Sequence, residues 1–493
     1  MRRVGSIVIL ALAAGCGGTN SDGGGGAPAF NQPPISGLRI NEVSIYQGVK
    51  IPLAIDGNPV LDRVAPVVQA RDALMRVFVQ PEPGWQPREV IARVELLDST
   101  GVVGSQEVRH FVGAGSAEAD FESAFNFDIP AGRMTGDLGY SVGLYEVTKD
   151  ALGPATPGFR FPAEGAVAMN AAYSGPSLKM VAVPVQYFAD NSGRLPDLGE
   201  AQLEVYRRAM HDVYPTPKVE IRVREPMQWT QPINRTGQGW AQLLQSMLYF
   251  RQEDIKAGKA SLDEYYFGFV NPADSLFGYC QQGCVLGLTF QVGQAGPGEE
   301  AYLRGSVGGG WPGEEAAQTF IHEIGHAHGR LHAPCAPGNQ IQDVDPAFPH
   351  ASGGIGSWGY SLSNRLLYDP QGKARDFMGY CEPTWVSDYT FRALFDKIAF
   401  VNGAQRFVST GPTTRYRVVS IYGEEMALGA YFDVPGLPSG TPETVEVVDA
   451  KGKRRSVTGY FHPYDHLPGG MVLVPEPDNA ARGLRLRGRN LAL

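Results

Sequence analysis

The stretch His322-Glu323-Ile324-Gly325-His326-Ala327-His328-Gly329-Arg330-Leu331-His332 constrains this chain more than any other. Positions four apart on an α-helix are separated by about 40° of net rotation and about 6 Å of rise. His322 and His326 therefore project from one face and can share one metal ion. Glu323 lies beside that pair, placed to take a proton from a metal-bound water. A straight helix would carry His332 past the ion, so the chain must turn. Gly329 supplies the turn, because glycine enters the left-handed region at little cost and commonly ends helices. His332 then returns as a third ligand. A helix bearing only solvated histidines has no use for that glycine or for the last histidine. His328, six positions from His322, points away from the ligand face and reads as packing or support.

At every fixed position the string resembles the metzincin signature of zinc endopeptidases, H-E-x-x-H-x-x-G-x-x-H. That family also carries a methionine turn beneath its metal, and Asp376-Phe377-Met378-Gly379-Tyr380 stands in the expected order. The resemblance covers 320–385 and extends to an α/β (α+β) metzincin-like catalytic domain. It implies one catalytic Zn2+ on His322, His326 and His332, with Glu323 as the base that assists attack of zinc-bound water on a peptide carbonyl. Met378 is expected beneath the ligands and Gly329 at the turn. Tyr380, two residues after the methionine, is expected at the metal or the oxyanion, as in the astacin and serralysin branches.

Apart from Cys16 the cysteines are Cys280, Cys284, Cys335 and Cys381, which allow three pairings. The resemblance puts Cys335 and Cys381 on either side of the metal. It implies that they pair, leaving Cys280 for Cys284. A second, cysteine-bound zinc is the rival, but these spacings match no standard zinc knuckle.

The chain opens with Arg2 and Arg3, an apolar run from Val4 to Ala14, and Gly15-Cys16. This is the pattern of a lipoprotein-type signal peptide over 1–16, with Cys16 lipidated after cleavage. Leu12 stands one place early for that motif, so a plain signal peptide is the alternative. Residues 17–36, rich in Gly, Ser, Asn and Pro, read as a flexible linker. The expected location is the envelope of a bacterium, lipid-anchored at the outer membrane, or the extracellular space. Membrane contact is then through the anchor alone. A net charge of −9 argues against nucleic acid as a partner, and the basic cluster Lys451-Gly452-Lys453-Arg454-Arg455 reads as a polar hairpin tip between strands. The expected state is a monomer.

Around the zinc string the chain divides in three. From 37 to 170, short apolar or alternating runs such as Leu74-Met75-Arg76-Val77-Phe78-Val79 predict an N-terminal β-sandwich. Between 171 and 403 the order strand, helix, strand, helix, strand precedes the zinc helix, with Ala301 to Val307 expected as the edge strand over the cleft. From 404 to 493, β patterns return and predict a C-terminal β-sandwich. His462 and His466 are four apart, but Pro463 between them excludes a helix, so they read as solvated loop histidines. Asp343, Asp345 and Asp369 lie in a long turn-rich segment where structural Ca2+ is conceivable, although no calcium motif supports it.

The function expected from these features is endopeptidase cleavage of extracellular proteins. Two alternatives stand beside it: a protease directed at glycoproteins, and a non-catalytic surface adhesin on a metalloprotease scaffold. An intact Glu323 and a complete ligand set weigh against the adhesin.

Overall fold

The computed structural model describes residues 30–281, 283–292, 300–336, 341–404 and 412–493. The leader, Cys16 and most of the linker lie outside the described residues. The molecule is multidomain and rich in strands.

The N-terminal part comprises β1 (Leu38–Tyr46), β2 (Gly48–Ile55), β3 (Ala73–Pro81), β4 (Arg88–Asp98), β5 (Gly101–Val112), β6 (Phe125–Ile129) and β7 (Gly139–Glu146). They form two sheets, ordered β2-β1-β3-β6 and β7-β4-β5. Val90, Ala92, Val94 and Leu96 on β4 alternate inward against Val43, Ile45 and Val77 of the other sheet. This is the period-2 pattern of a strand with one buried face. The sheets begin earlier than the expected linker allows. Ile35 is fully buried and Pro34 bridges Tyr145, so the end of 17–36 belongs to this domain.

The central part carries β8 (Leu178–Tyr187), α1 (Glu200–Val213), β9 (Val219–Val223), α2 (Trp240–Lys256), β10 (Glu264–Val270), β11 (Gly287–Thr289), β12 (Gly305–Gly309) and α3 (Glu314–Ala327). Its sheet runs β9-β8-β10-β12-β11, parallel except for β11, the antiparallel edge. The expected edge strand, Ala301 to Val307, is therefore not the edge: β12 lies inside, and β11 borders the cleft. Both segments are short and apolar, and only the reversal of direction at β11 distinguishes them.

The two faces of β8 separate cleanly. Leu178, Met180 and Ala182 pack with Leu203, Tyr206 and Met210 of α1 and with Phe320 and Ile324 of α3. Val181, Val183 and Val185 face Leu243, Leu244 and Met247 of α2. A strand buried on both faces reads as a continuous apolar run for this reason.

Beyond α3, a hairpin of β13 (Gly359–Ser361) and β14 (Leu366–Tyr368) leaves the central part and extends the first N-terminal sheet, with Gly359 opposite Val49 and Tyr360 opposite Gly48. Helix α4 (Asp388–Ala404) follows; the Ser387 hydroxyl accepts the Thr390 amide and caps its start.

The C-terminal part is β15 (Thr413–Tyr422), β16 (Glu425–Pro435), β17 (Thr441–Asp449), β18 (Arg454–Pro463), β19 (Gly469–Pro475), β20 (Ala481–Leu486) and β21 (Arg489–Ala492). The expectation of a sandwich fails here, because these strands make one sheet, β16-β15-β19-β18-β17-β20-β21. It curls so that Arg489 on the last strand reaches Glu424 beside the first. Alternating strands carry the same pattern whether two sheets stack or one rolls over its own core. Its concave face holds Val419, Ile421, Val447, Val472 and Leu484. Its other face, through Tyr416, Val418, Phe432 and Leu473, joins the core around α2. No helix among the described residues is long and apolar enough to cross a membrane.

Candidate metal centre

Helix α3 ends at Ala327, one residue after His326. The His328 and Gly329 amides bond back to the Gly325 and His326 carbonyls at 3.0 and 2.8 Å. Gly329 has φ +83°, the left-handed conformation that reverses the chain. His332 returns over the helix, fixed by its amide to the Asp343 carbonyl at 3.2 Å. His322, His326 and His332 are buried and adjacent.

Each of these imidazoles is oriented by a main-chain oxygen. The Nδ1 atoms of His322, His326 and His332 lie 2.8, 2.7 and 2.7 Å from the carbonyls of Phe377, Arg330 and Gln342. A carbonyl only accepts, so each Nδ1 carries the proton, and each Nε2 of the neutral ring presents a lone pair. Burial first, then the neighbouring rings, holds the His322 and His326 pKa values well below the usual range. His332 is lowered to about 4, again chiefly by burial. The Nε2 atoms of His322 and His326 face each other at 3.1 Å. Two lone pairs at that separation repel unless they share a cation. The donor set fits a divalent metal that favours imidazole, zinc foremost.

The turn beneath is built by a buried carboxylate. Asp376 accepts the Met378 and Ser387 amides, each at 2.9 Å, and so fixes Asp376–Gly379 against the start of α4. Met378 is buried under Gly325, where an added Cβ would lie 2.3 Å from its sulfur. The Tyr380 hydroxyl stands 2.9 Å from His332 Nε2. Disulfides join Cys335 to Cys381 and Cys280 to Cys284. The first ties the segment after His332 to the segment after Tyr380.

Glu323 is 2 % exposed, and its Oε2 has no hydrogen-bond partner. Its pKa is pushed well up, first by burial and then by the nearby Asp465 charge. The Thr289 and Ser306 hydroxyls bond the Glu323 carbonyl at 3.2 and 3.3 Å, pinning the helix to the sheet. Gly287 on β11 passes so close that a Cβ there would stand 2.4 Å from Glu323 Oε1. A cleft of about 620 Å³ opens above this carboxylate. Leu276, Leu286, the Cys280–Cys284 bridge, Tyr380 and Thr384 are among its lining residues.

His328 stacks on Tyr265 with centroids 4.3 Å apart, outside the metal cluster. Asp345 is engaged by Arg330 and Tyr389 at 3.1 and 2.9 Å, and Asp369 accepts the Gln371 amide.

The C-terminal pair expected in solvent is not there. His462 is 3 % exposed and bonded to the Tyr302 hydroxyl at 3.1 Å. His466 enters the centre: its Nε2 lies 3.1 Å from the Tyr380 hydroxyl and 3.7 Å from Glu323 Oε1. The ligand atoms of His322, His326, His332 and His466 all fall within 4.8 Å of one another. Asp465 arrives with it, 3.6 Å from His326 Nε2. Pro463 does forbid a helix, as its ring removes a backbone donor, but a turn between two strands delivers the histidine equally well. No spacing relates His466 to the zinc string, so nothing local in the sequence marks either residue.

No family model and no curated protein matches this chain. Among solved structures, the chain is similar at 12 % identity to "putative beta-galactosidase from bacteroides fragilis". The match covers 50 % of this chain and 35 % of that one, with a TM-score of 0.13. The matched part is thus about a third of that protein's length, and a likeness this loose carries no argument.

Proposed function

We propose that this chain is a zinc-dependent endopeptidase of metzincin type acting on extracellular proteins. One observation carries the reading. Three neutral imidazoles, each held through Nδ1 by a main-chain carbonyl, aim Nε2 at one point beside a buried carboxylate on the floor of a cleft. Oriented rings of this kind are what ligating histidines need from their surroundings. The mostly parallel sheet with an antiparallel edge, and Met378 under Gly325, support the same family. Zinc supplies Lewis acidity to water and to a carbonyl when bound.

The chain's own groups do the rest. Glu323, screened from solvent beside the three imidazoles, takes the proton of the attacking water and returns it to the leaving amine. Tyr380 points its hydroxyl into the centre, from where it donates to the oxyanion that develops on the carbonyl. Asp465 takes the outer edge of β11 at Thr289, which leaves its start, at Gly287, as the place where an extended peptide meets the strand. Export with lipidation at Cys16 suits a protein carrying two disulfides, since such bonds persist in oxidising compartments.

The test is digestion of peptide and glycopeptide libraries by wild type and Glu323→Gln, alongside metal analysis. Glu323→Gln is expected to retain zinc and to lose about 10²–10⁴-fold in turnover, and Tyr380→Phe to lose less. Undiminished cleavage by zinc-loaded Glu323→Gln would falsify the mechanism, and a wild type inert on both libraries would favour the adhesin.

A further inference from the structure

The C-terminal sheet does more at this centre than cover it. The turn between β18 and β19 runs along β11, where the Gln291 amide bonds the Pro463 carbonyl at 3.0 Å and the Asp465 amide bonds the Thr289 carbonyl at 3.2 Å. Asp465 Oδ1 accepts the Thr289 amide at 3.0 Å. Tyr464 is buried, its hydroxyl bonded to Gln245 and Ser420 at 3.3 and 3.2 Å. Leu467 fills the space over Gly237, where a Cβ would come within 2.3 Å of it. The residues on both sides of His466 are thus locked into the body of the protein.

His466 itself is held differently. Its side chain keeps 13 % exposure and lines the cleft. The Asp465 carboxylate is 3.3 Å from its Nδ1 but makes no hydrogen bond with it, so that nitrogen is unpartnered. The other three rings are each fixed by a carbonyl. His466 has no such tether, while the residues on either side of it are bonded and buried in the body of the protein. A ring on a fixed base, with Nε2 turned into a cluster of three Nε2 donors, is built both to bind and to swing away.

We propose that His466 occupies the coordination position left open by His322, His326 and His332. The resting centre is then a closed four-histidine site assembled from two parts of the chain. Four protein ligands saturate tetrahedral zinc, whereas a catalytic site keeps one position open. A peptide meeting the start of β11 must therefore displace the His466 ring, and the unpartnered Nδ1 is what lets it leave. The inference rests on the zinc reading above and adds to it a restraint built into the fold.

The test uses the full chain with zinc, and then Co2+, as probes. Zinc affinity is measured against a competing chelator for wild type, His466→Ala and His466→Gln, the last preserving side-chain volume should the alanine variant fold poorly. Both variants are expected to bind zinc at least about tenfold more weakly, as loss of even an outer partner costs 10–100-fold. Added imidazole is expected to change the Co2+ absorption spectrum of His466→Ala towards that of wild type, and to leave the wild-type spectrum unaltered. Unchanged zinc affinity in both variants, with spectra indifferent to imidazole, overturns the proposal while leaving the protease reading standing. A wild-type chain that takes up no zinc overturns both.

Discussion

Gly287 shows how a single residue governs this site. Its backbone needs no glycine, but a methyl group there meets the Glu323 carboxylate at 2.4 Å. Gly287→Ala is expected to move that carboxylate, because backbone on one side and a packed helix on the other leave it little room. Turnover should fall by more than about tenfold, since a misplacement on the order of 1 Å can cost 10², while the thermal midpoint stays within a few degrees. Kinetics beside a melting curve check this, and an active Gly287→Ala would show that Glu323 does not work from where it lies. The contrast at this scale is instructive. His322, His326, Gly329 and His332 are legible in the sequence because helix periodicity and a left-handed turn relate them. Gly287 and His466 are not, because only tertiary approach relates them to Glu323.

Among elements, the turn Asp376–Gly379 and the disulfide beside it form one support. Cys335 and Cys381 close a loop that holds β13 and β14 and returns to the methionine turn. Opening it in Cys335→Ala/Cys381→Ala should cost about 2–4 kcal/mol of stability, read as a lower denaturant midpoint. The loss should be accompanied by weaker zinc retention, because the Tyr380 amide bonds the Cys335 carbonyl at 2.7 Å. A variant that loses stability but holds zinc as firmly would separate the loop from the centre. The helices α1, α2 and α4 and the strands of the central sheet follow from apolar periodicity and stops at Gly or Pro. The inversion of β11 and the rolled C-terminal sheet do not, because direction and closure are set by which neighbour a strand finds, and alternation is the same in either arrangement.

For the whole molecule, α2 is the joint. It buries Leu243, Leu244 and Met247 against the central sheet and shares that core with Tyr416, Phe432 and Tyr464 of the C-terminal sheet. His462 titrates within this junction. Burial lowers its pKa to about 4, against about 6.5 in an unfolded chain. Between those values the unfolded state binds the extra proton, so stability is greatest above about pH 6.5 and falls as pH drops towards about 4. The difference amounts to about 3 kcal/mol. His462→Gln should remove that part of the acid sensitivity, measured as the denaturant midpoint from pH 7 to pH 4. An identical pH profile in variant and wild type would assign the sensitivity to other groups.

The hairpin of β13 and β14 has a consequence for how such a chain is made. Its partner strand β2 leaves the ribosome first, yet Tyr360, which pairs with Gly48, is synthesised about three hundred residues later, at roughly 5–20 residues per second. For that interval Asn58–Pro59 can pair with the Ala54–Ile55 end of β2, while the Gly48–Val49 end waits for its partner and is open to pairing with another chain. A chaperone that holds this edge until β13 arrives therefore has a defined waiting time, set by synthesis rather than by folding.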